Sequence, residues 1–235
     1  MKGYFRDNSS FRPLNAEPPS CFTDLESHFD SRVATLRHPE YDPAIALTAN
    51  LCRRLADVIV YAWDVKEVYR HPRDGRHLMI ATRLVGYYSA CKALLDAGAI
   101  ALTTQYKLVK SNGDPLGPKE QDFAKGAIWT ALEGQHKPVC DRYTVFRTTI
   151  NDVCEWRDAI VHRVTPLTLG QLARFPGTNT AEFHSYVMAL DKDASLSDLL
   201  ENRTDTVDPT YHHGLWGPDF EKFCVEVGAD IKATS

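Results

Sequence analysis

Long hydrophobic runs are missing from this 235-residue chain. None approaches the roughly 20 apolar residues that span a bilayer, so no membrane association is expected. The opening MKGYFRDNSSFRP has no apolar stretch after its charges and does not read as a secretory signal. Paired cysteines are missing too. The six that exist, at 21, 52, 91, 140, 154 and 224, are scattered with no C-x-x-C. That argues against a zinc ribbon and a disulfide scaffold and fits reduced thiols in a cytoplasm. There is no surplus of positive charge: the formal net charge is −4 and the isoelectric point about 6.1. A general nucleic-acid coat protein would be basic, so any RNA contact has to be local. Internal repeats and low-complexity tracts are absent. His212 and His213 lie near Asp208, but adjacent histidines tend to point apart and no third ligand has a sensible spacing, so neither a metal nor another cofactor is expected.

What the chain does have is helical periodicity. Residues 1–41 read as an N-terminal arm with one short helix, on a weak pattern through Phe22, Leu25, Phe29, Val33 and Leu36. From Pro43 to about Arg70, Leu51, Leu55, Val58, Ala62, Val65 and Tyr69 alternate spacings of four and three, the seam of a bundle helix. Asp42 is its expected N-cap with Pro43 at the first helical position, and His71-Pro72-Arg73-Asp74-Gly75 breaks it. A second long helix is expected from about Arg76 to Tyr106, with the seam Leu78, Ala81, Val85, Tyr88, Lys92, Leu95, Ala99, Leu102 and Tyr106. After a loop with Asn112-Gly113, Pro115 and Gly117-Pro118, a short helix fits Lys119 to about Glu133, ended by Gly134. A fourth runs from about Asp141 to His162, with the seam Phe146, Ile150, Val153, Arg157, Ile160 and Val164, and Pro166 stops it.

Residues 42–166 are thus expected to form an all-α, antiparallel four-helix bundle with shallow left-handed packing. Residues 167–235 read as an irregular C-terminal extension: a short strand over Phe183–Leu190, a helical turn over Ser197–Asn202 and a terminal helix from Pro218 to about Val227.

Two seam residues are charged. Lys92 and Arg157 occupy apolar positions, and a buried unpaired cation costs several kcal/mol, so each needs an anion or a solvated cleft. Asp96, one turn beyond Lys92, is its natural mate; Asp158, Glu155 or Asp96 suits Arg157. Long side chains that snorkel to neighbouring acids explain both without any function. Arg157 has a second feature, because His162 follows five residues later. In a straight helix such residues differ by about 140° in direction and about 7.5 Å in rise, so they converge only where the last turn opens. The spacing alone is close to chance; the position, late in a bundle helix with Arg inward, adds weight.

Arg157-Asp158-x-x-x-His162, ending the fourth helix of a four-helix bundle, resembles the signature of HEPN domains: Arg, a polar residue, further residues, then His. The stretch Ser89 to Ala97, with Lys92 and Asp96 four apart, is similar to a second-helix string in some HEPN-like proteins. The resemblance covers about residues 42–166. It implies an all-α homodimer with two Arg-His helices facing across a two-fold axis, a metal-independent endoribonuclease acting on RNA, and a role in toxin–antitoxin or anti-phage systems with an antitoxin or other regulatory partner. Some members have lost catalysis and serve in binding or assembly.

The chemistry can be argued independently of the family. RNA carries its own nucleophile in the 2′-OH, so a site needs only to move protons and stabilise charge on phosphorus. Histidine has an unperturbed pKa of about 6.5, so His162 suits general acid or base work. Arg157 offers a bidentate fork to phosphoryl oxygens, with Asp158 to orient Arg157 or His162. Lys92, Asp96, Arg163 and Trp156 are candidates for substrate contact. Each has a plain alternative: an ion pair for Lys92 and Asp96, a helix-dipole role for Arg163, core packing for Trp156. Tyr143 and Arg147 either extend the cleft or lie on a solvated face, and Cys91 and Cys154 read as small buried groups.

Overall fold

The structure, a computed structural model, describes residues 20–35, 42–70, 77–162, 168–174 and 181–233. The segment 1–19 of the expected arm, the breaker at 71–75, Arg163, Val164 and the stop at Pro166 lie outside the described residues. The described chain is mostly helical, and none of its helices is long and apolar enough to cross a membrane. The helices are α1 (Ser20–Thr35), α2 (Pro43–Arg70), α3 (His77–Gln105), α4 (Gly126–Gln135), α5 (Lys137–Thr144), α6 (Arg147–His162), α7 (Leu196–Leu200) and α8 (Tyr211–Ala233). Strands β1 (Thr168–Arg174), β2 (Ala181–Ala189) and β3 (Thr206–Val207) form one antiparallel sheet in the order β1-β2-β3. The expected strand at 183–190 is thus the middle of three.

Local chemistry explains why α2 starts where it does. Asp42 Oδ1 accepts the Ala44 N–H at 2.8 Å, closing the N-cap, and its other oxygen takes Arg32 of α1. The α2 seam is buried at Leu51, Leu55, Val58, Ala62 and Val65. Helix α3 is buried on more than one side, through Ile80, Leu84, Tyr87, Tyr88, Cys91, Leu94, Leu95, Ala99 and Leu102. A helix apolar all round belongs in the interior, and α3 is packed by α2, α6, α8 and β1.

Three element boundaries differ from the sequence expectation. The expected single helix at 141–162 is two, α5 and α6, separated by a turn at Val145-Phe146 in which Phe146 N–H donates to Tyr143 O at 3.0 Å. The buried residues Tyr143, Phe146, Ile150 and Val153 keep the three-four spacing straight through that turn, so periodicity alone reads one helix. The helix expected from Lys119 begins only at Gly126. Asp122 competes with it: its carboxylate accepts the Ala124 N–H at 2.8 Å and stabilises a turn instead.

The terminal helix is far longer than Pro218–Val227 and carries Pro218 inside it. An internal proline costs about 3 kcal/mol. Against that, His212, Trp216, Phe220, Phe223, Val227 and Ile231 form one buried stripe, and each large apolar member contributes about 1.5–3 kcal/mol, so the stripe wins. Helix α8 accordingly packs on α1, α2 and α3, and the hydrophobic core runs without a break from Cys21 to Ile231.

Close packing of α8 on α3 depends on Gly98, where an added Cβ would stand 2.3 Å from Phe223 Cζ. It is tied further by Asp230, buried on α8, which accepts Tyr106 Oη at 2.7 Å, Tyr143 Oη at 2.7 Å and Arg142 Nη2 at 2.6 Å. Burial together with that carboxylate pushes the Tyr106 phenol up to about 12 and the Tyr143 phenol higher.

Candidate functional site

Helix α6 carries the sequence-predicted centre. Its buried face, Ile150, Val153, Cys154, Trp156, Ala159 and Ile160, packs on α3, which sets Arg157 at the margin of the interface. The Arg157 side chain is 32 % exposed and donates from Nη1 to Asp158 Oδ1 at 2.8 Å, while Asp158 is 62 % exposed. His162 is the last residue of α6. Its side chain and all of Arg163 lie outside the described residues.

Across the interface, Lys92 on α3 is 14 % exposed and donates to Asp96 and, at 2.9 Å, to Asp122. Burial alone would pull the ammonium down; the two carboxylates outweigh it and hold it above its ordinary value. The Asp96 carboxyl is pushed up by burial, with the Lys92 ammonium and the charge of Arg157 pulling it back. Lys92 is therefore neutralised internally, as the ion-pair alternative required. The two cations Lys92 and Arg157 meet three carboxylates, Asp96, Asp122 and Asp158. Cys154, in the same neighbourhood, is buried with its thiol pushed up to about 12, and Cys91 is buried likewise; both are unreactive at neutral pH.

The other side of α6 opens onto a cleft of about 290 Å³ lined by Asp152, Trp156, Leu190, Asp191, Lys192, Tyr211, His212 and Leu215. Aromatic rings form its inner wall. Trp156 is stacked on Tyr88 with centroids 5.8 Å apart, and His212 lies 4.5 Å from both Trp156 and Trp216. Trp156 is thus core on one side and cleft wall on the other. Trp216 Nε1 donates to Asp152 Oδ2 at 2.9 Å, and Lys192 reaches Glu155 at 2.5 Å.

His212 is 2 % exposed, and its Nδ1 stands 2.6 Å from Tyr88 Oη. Burial holds this imidazole at about 4, so it is neutral at pH 7 and has one acceptor nitrogen. The tyrosine hydroxyl has a single hydrogen and a thioether, Met188 Sδ at 3.7 Å, as its competing acceptor. An imidazole nitrogen is the stronger acceptor, which favours Tyr88 donating to Nδ1 with the ring proton on Nε2 over the reverse arrangement, in which Nδ1–H donates to Tyr88 and Tyr88 to Met188.

Tyr143 neither extends a cleft nor faces solvent: it is fully buried and donates to Asp230. Arg147 lies over the Trp129 ring at 5.2 Å. Asp122, Asp152, Lys192 and the cleft role of His212 were not visible in the sequence. Asp122 reaches Lys92 from 30 residues away, and Lys192 reaches Glu155 from 37, separations that no helical spacing reports.

No family model matches this chain, nor does any curated protein or solved structure.

Proposed function

We propose that this chain is a metal-independent endoribonuclease of HEPN type, acting as a homodimer through a helical bundle in which α2, α3 and α6 are the principal members. Arg157 stabilises the phosphoryl charge. One His162 takes the proton of the attacking 2′-OH, and the second copy of His162, across the two-fold axis, protonates the departing 5′-oxygen. The P–O5′ bond breaks as the 2′-oxygen bonds to phosphorus, leaving a 2′,3′-cyclic phosphate and a 5′-hydroxyl. A toxin or defence role, with an antitoxin-like protein as regulator, belongs to the same reading.

The observation that carries it is the contrast between the two seam cations. Lys92 is nearly enclosed and held by two carboxylates, whereas Arg157 keeps a third of its side chain in solvent and one of its partners, Asp158, is mostly exposed. An exposed pair of that kind is worth about 0–1 kcal/mol, so a phosphate presenting two oxygens can displace Asp158 from the guanidinium.

The three carboxylates around the two cations favour a second reading, a non-catalytic dimeric HEPN-like module that binds a nucleotide, RNA or protein partner. Incubating the purified protein with single-stranded RNA in EDTA separates the two. The ribonuclease reading expects products with cyclic-phosphate ends and a loss of about 100-fold or more in Arg157→Ala and His162→Ala. Absence of cleavage with and without EDTA, or variants that cut like the wild type, refutes it.

A further inference from the structure

The cleft beside α6 has features that the reaction at Arg157 does not use. Its lining sets the rings of Trp156 and Tyr211 and the side chains of Leu190 and Leu215 among polar groups, and both Tyr211 and Leu215 are exposed at the rim. Its polar side chains are Asp152, Asp191, Lys192 and His212. His212 is nearly fully buried, its Nδ1 is taken by Tyr88, and Nε2 has no hydrogen-bond partner among the described residues while not being sealed from solvent. In the tautomer that donation from Tyr88 favours, Nε2 offers an N–H into the cleft. The Asp152 carboxylate accepts from Trp216 through one oxygen and so keeps acceptor capacity. Rings on the walls, one donor and one acceptor are what a planar heterocycle with an acceptor beside a donor on its edge requires.

Charge and size narrow the class. Among the described residues around the cleft, the Lys192 ammonium is bound to Glu155, and Asp152 and Asp191 add two more carboxylates, so three acids face one base. An anion is disfavoured there. The volume of about 290 Å³ lies at the small end of ligand pockets, enough for one ring system and not for two stacked bases.

We infer that this cleft binds the uncharged base of a nucleoside, with the ring against Trp156 and Tyr211, an acceptor on its edge taking the His212 Nε2–H and a donor meeting Asp152. The inference does not depend on cleavage at Arg157. A binding module and a nuclease would both use such a cleft, and Arg157→Ala leaves it intact.

Isothermal titration of the full chain with adenosine and with cytidine tests this directly, with ribose 5-phosphate as the phosphate-only probe. At least one nucleoside is expected to saturate, with ribose 5-phosphate showing no heat of binding. His212→Phe and Asp152→Asn are each expected to weaken the nucleoside by 10-fold or more. Because His212 is part of the core, Leu215→Trp provides a second arm: it fills the cleft from an exposed position, and it should abolish binding with no change in melting temperature. The inference is overturned if neither nucleoside saturates at 10 mM, if the folded variants bind like the wild type, or if ribose 5-phosphate binds as well as the nucleosides. An aromatic ammonium such as tyramine binding where no nucleoside does would also overturn it, since the acidic rim would then be selecting a cation.

Discussion

Removing the carboxylate of Asp230 is expected to be among the most destabilising single changes in this protein. The side chain is 4 % exposed and is the shared acceptor for three donors from two other parts of the fold: Tyr106 just after α3, and Arg142 and Tyr143 on α5. Truncation to alanine strands them unequally. Tyr143 Oη is wholly buried and has no water to turn to, so it carries the full penalty of an unmade hydrogen bond, about 1–3 kcal/mol. Tyr106 is only partly buried and is worth about 1 kcal/mol. Arg142 is 43 % exposed and retains Glu226 at 3.6 Å, so its share is about 0–1 kcal/mol after solvent screening. Together these give about 2–5 kcal/mol for Asp230→Ala, overlapping the range for breaking a buried charged pair. Asp230→Asn keeps the volume and one acceptor oxygen and should cost roughly half of that.

Urea unfolding followed by circular dichroism measures both variants, and a double-mutant cycle with Tyr143→Phe isolates the shared bond, expected at about 1 kcal/mol or more. If Asp230→Ala falls within about 0.5 kcal/mol of wild type, the network is not a structural tie and the reasoning fails.

Two further outcomes follow from burial and packing. His212 is held at about 4 in the fold against an ordinary 6.5, so between those pH values the unfolded chain binds a proton that the folded chain refuses. Its contribution, about 3 kcal/mol, is complete above pH 6.5 and disappears as pH falls towards 4; unfolding titrations of wild type and His212→Phe across this window should differ in slope, and equal slopes would exclude it. Gly98→Ala should lower stability by about 1–3 kcal/mol despite alanine's better helix propensity, because Phe223 Cζ occupies the space of the new Cβ; thermal melts check this, and a rise in melting temperature would refute it.

How far the sequence reached differs between fold and site. The long helices α2 and α3 were legible because their apolar spacing is local, and the cap at Asp42 because capping is a contact two residues long. The turn at Val145-Phe146 was not, since it leaves the periodicity undisturbed. The full length of α8 was hidden by Pro218, a strong local stop that a buried stripe overrode. At the site, the anomaly of Lys92 was visible and half of its resolution, Asp96, was one helical turn away; Asp122 arrives from a loop and was out of reach.

Periodicity, capping and the misplaced cations are short-range properties, and the sequence by itself determined them: a mostly helical chain with charge where a bundle wants leucine. Which acids meet those cations, that α8 closes the core, and that His212 lines a cleft beside Tyr88 were decided only by tertiary packing. The reason is physical: burial and pairing between residues 30 to 124 positions apart depend on where whole elements meet, and no local propensity encodes that meeting.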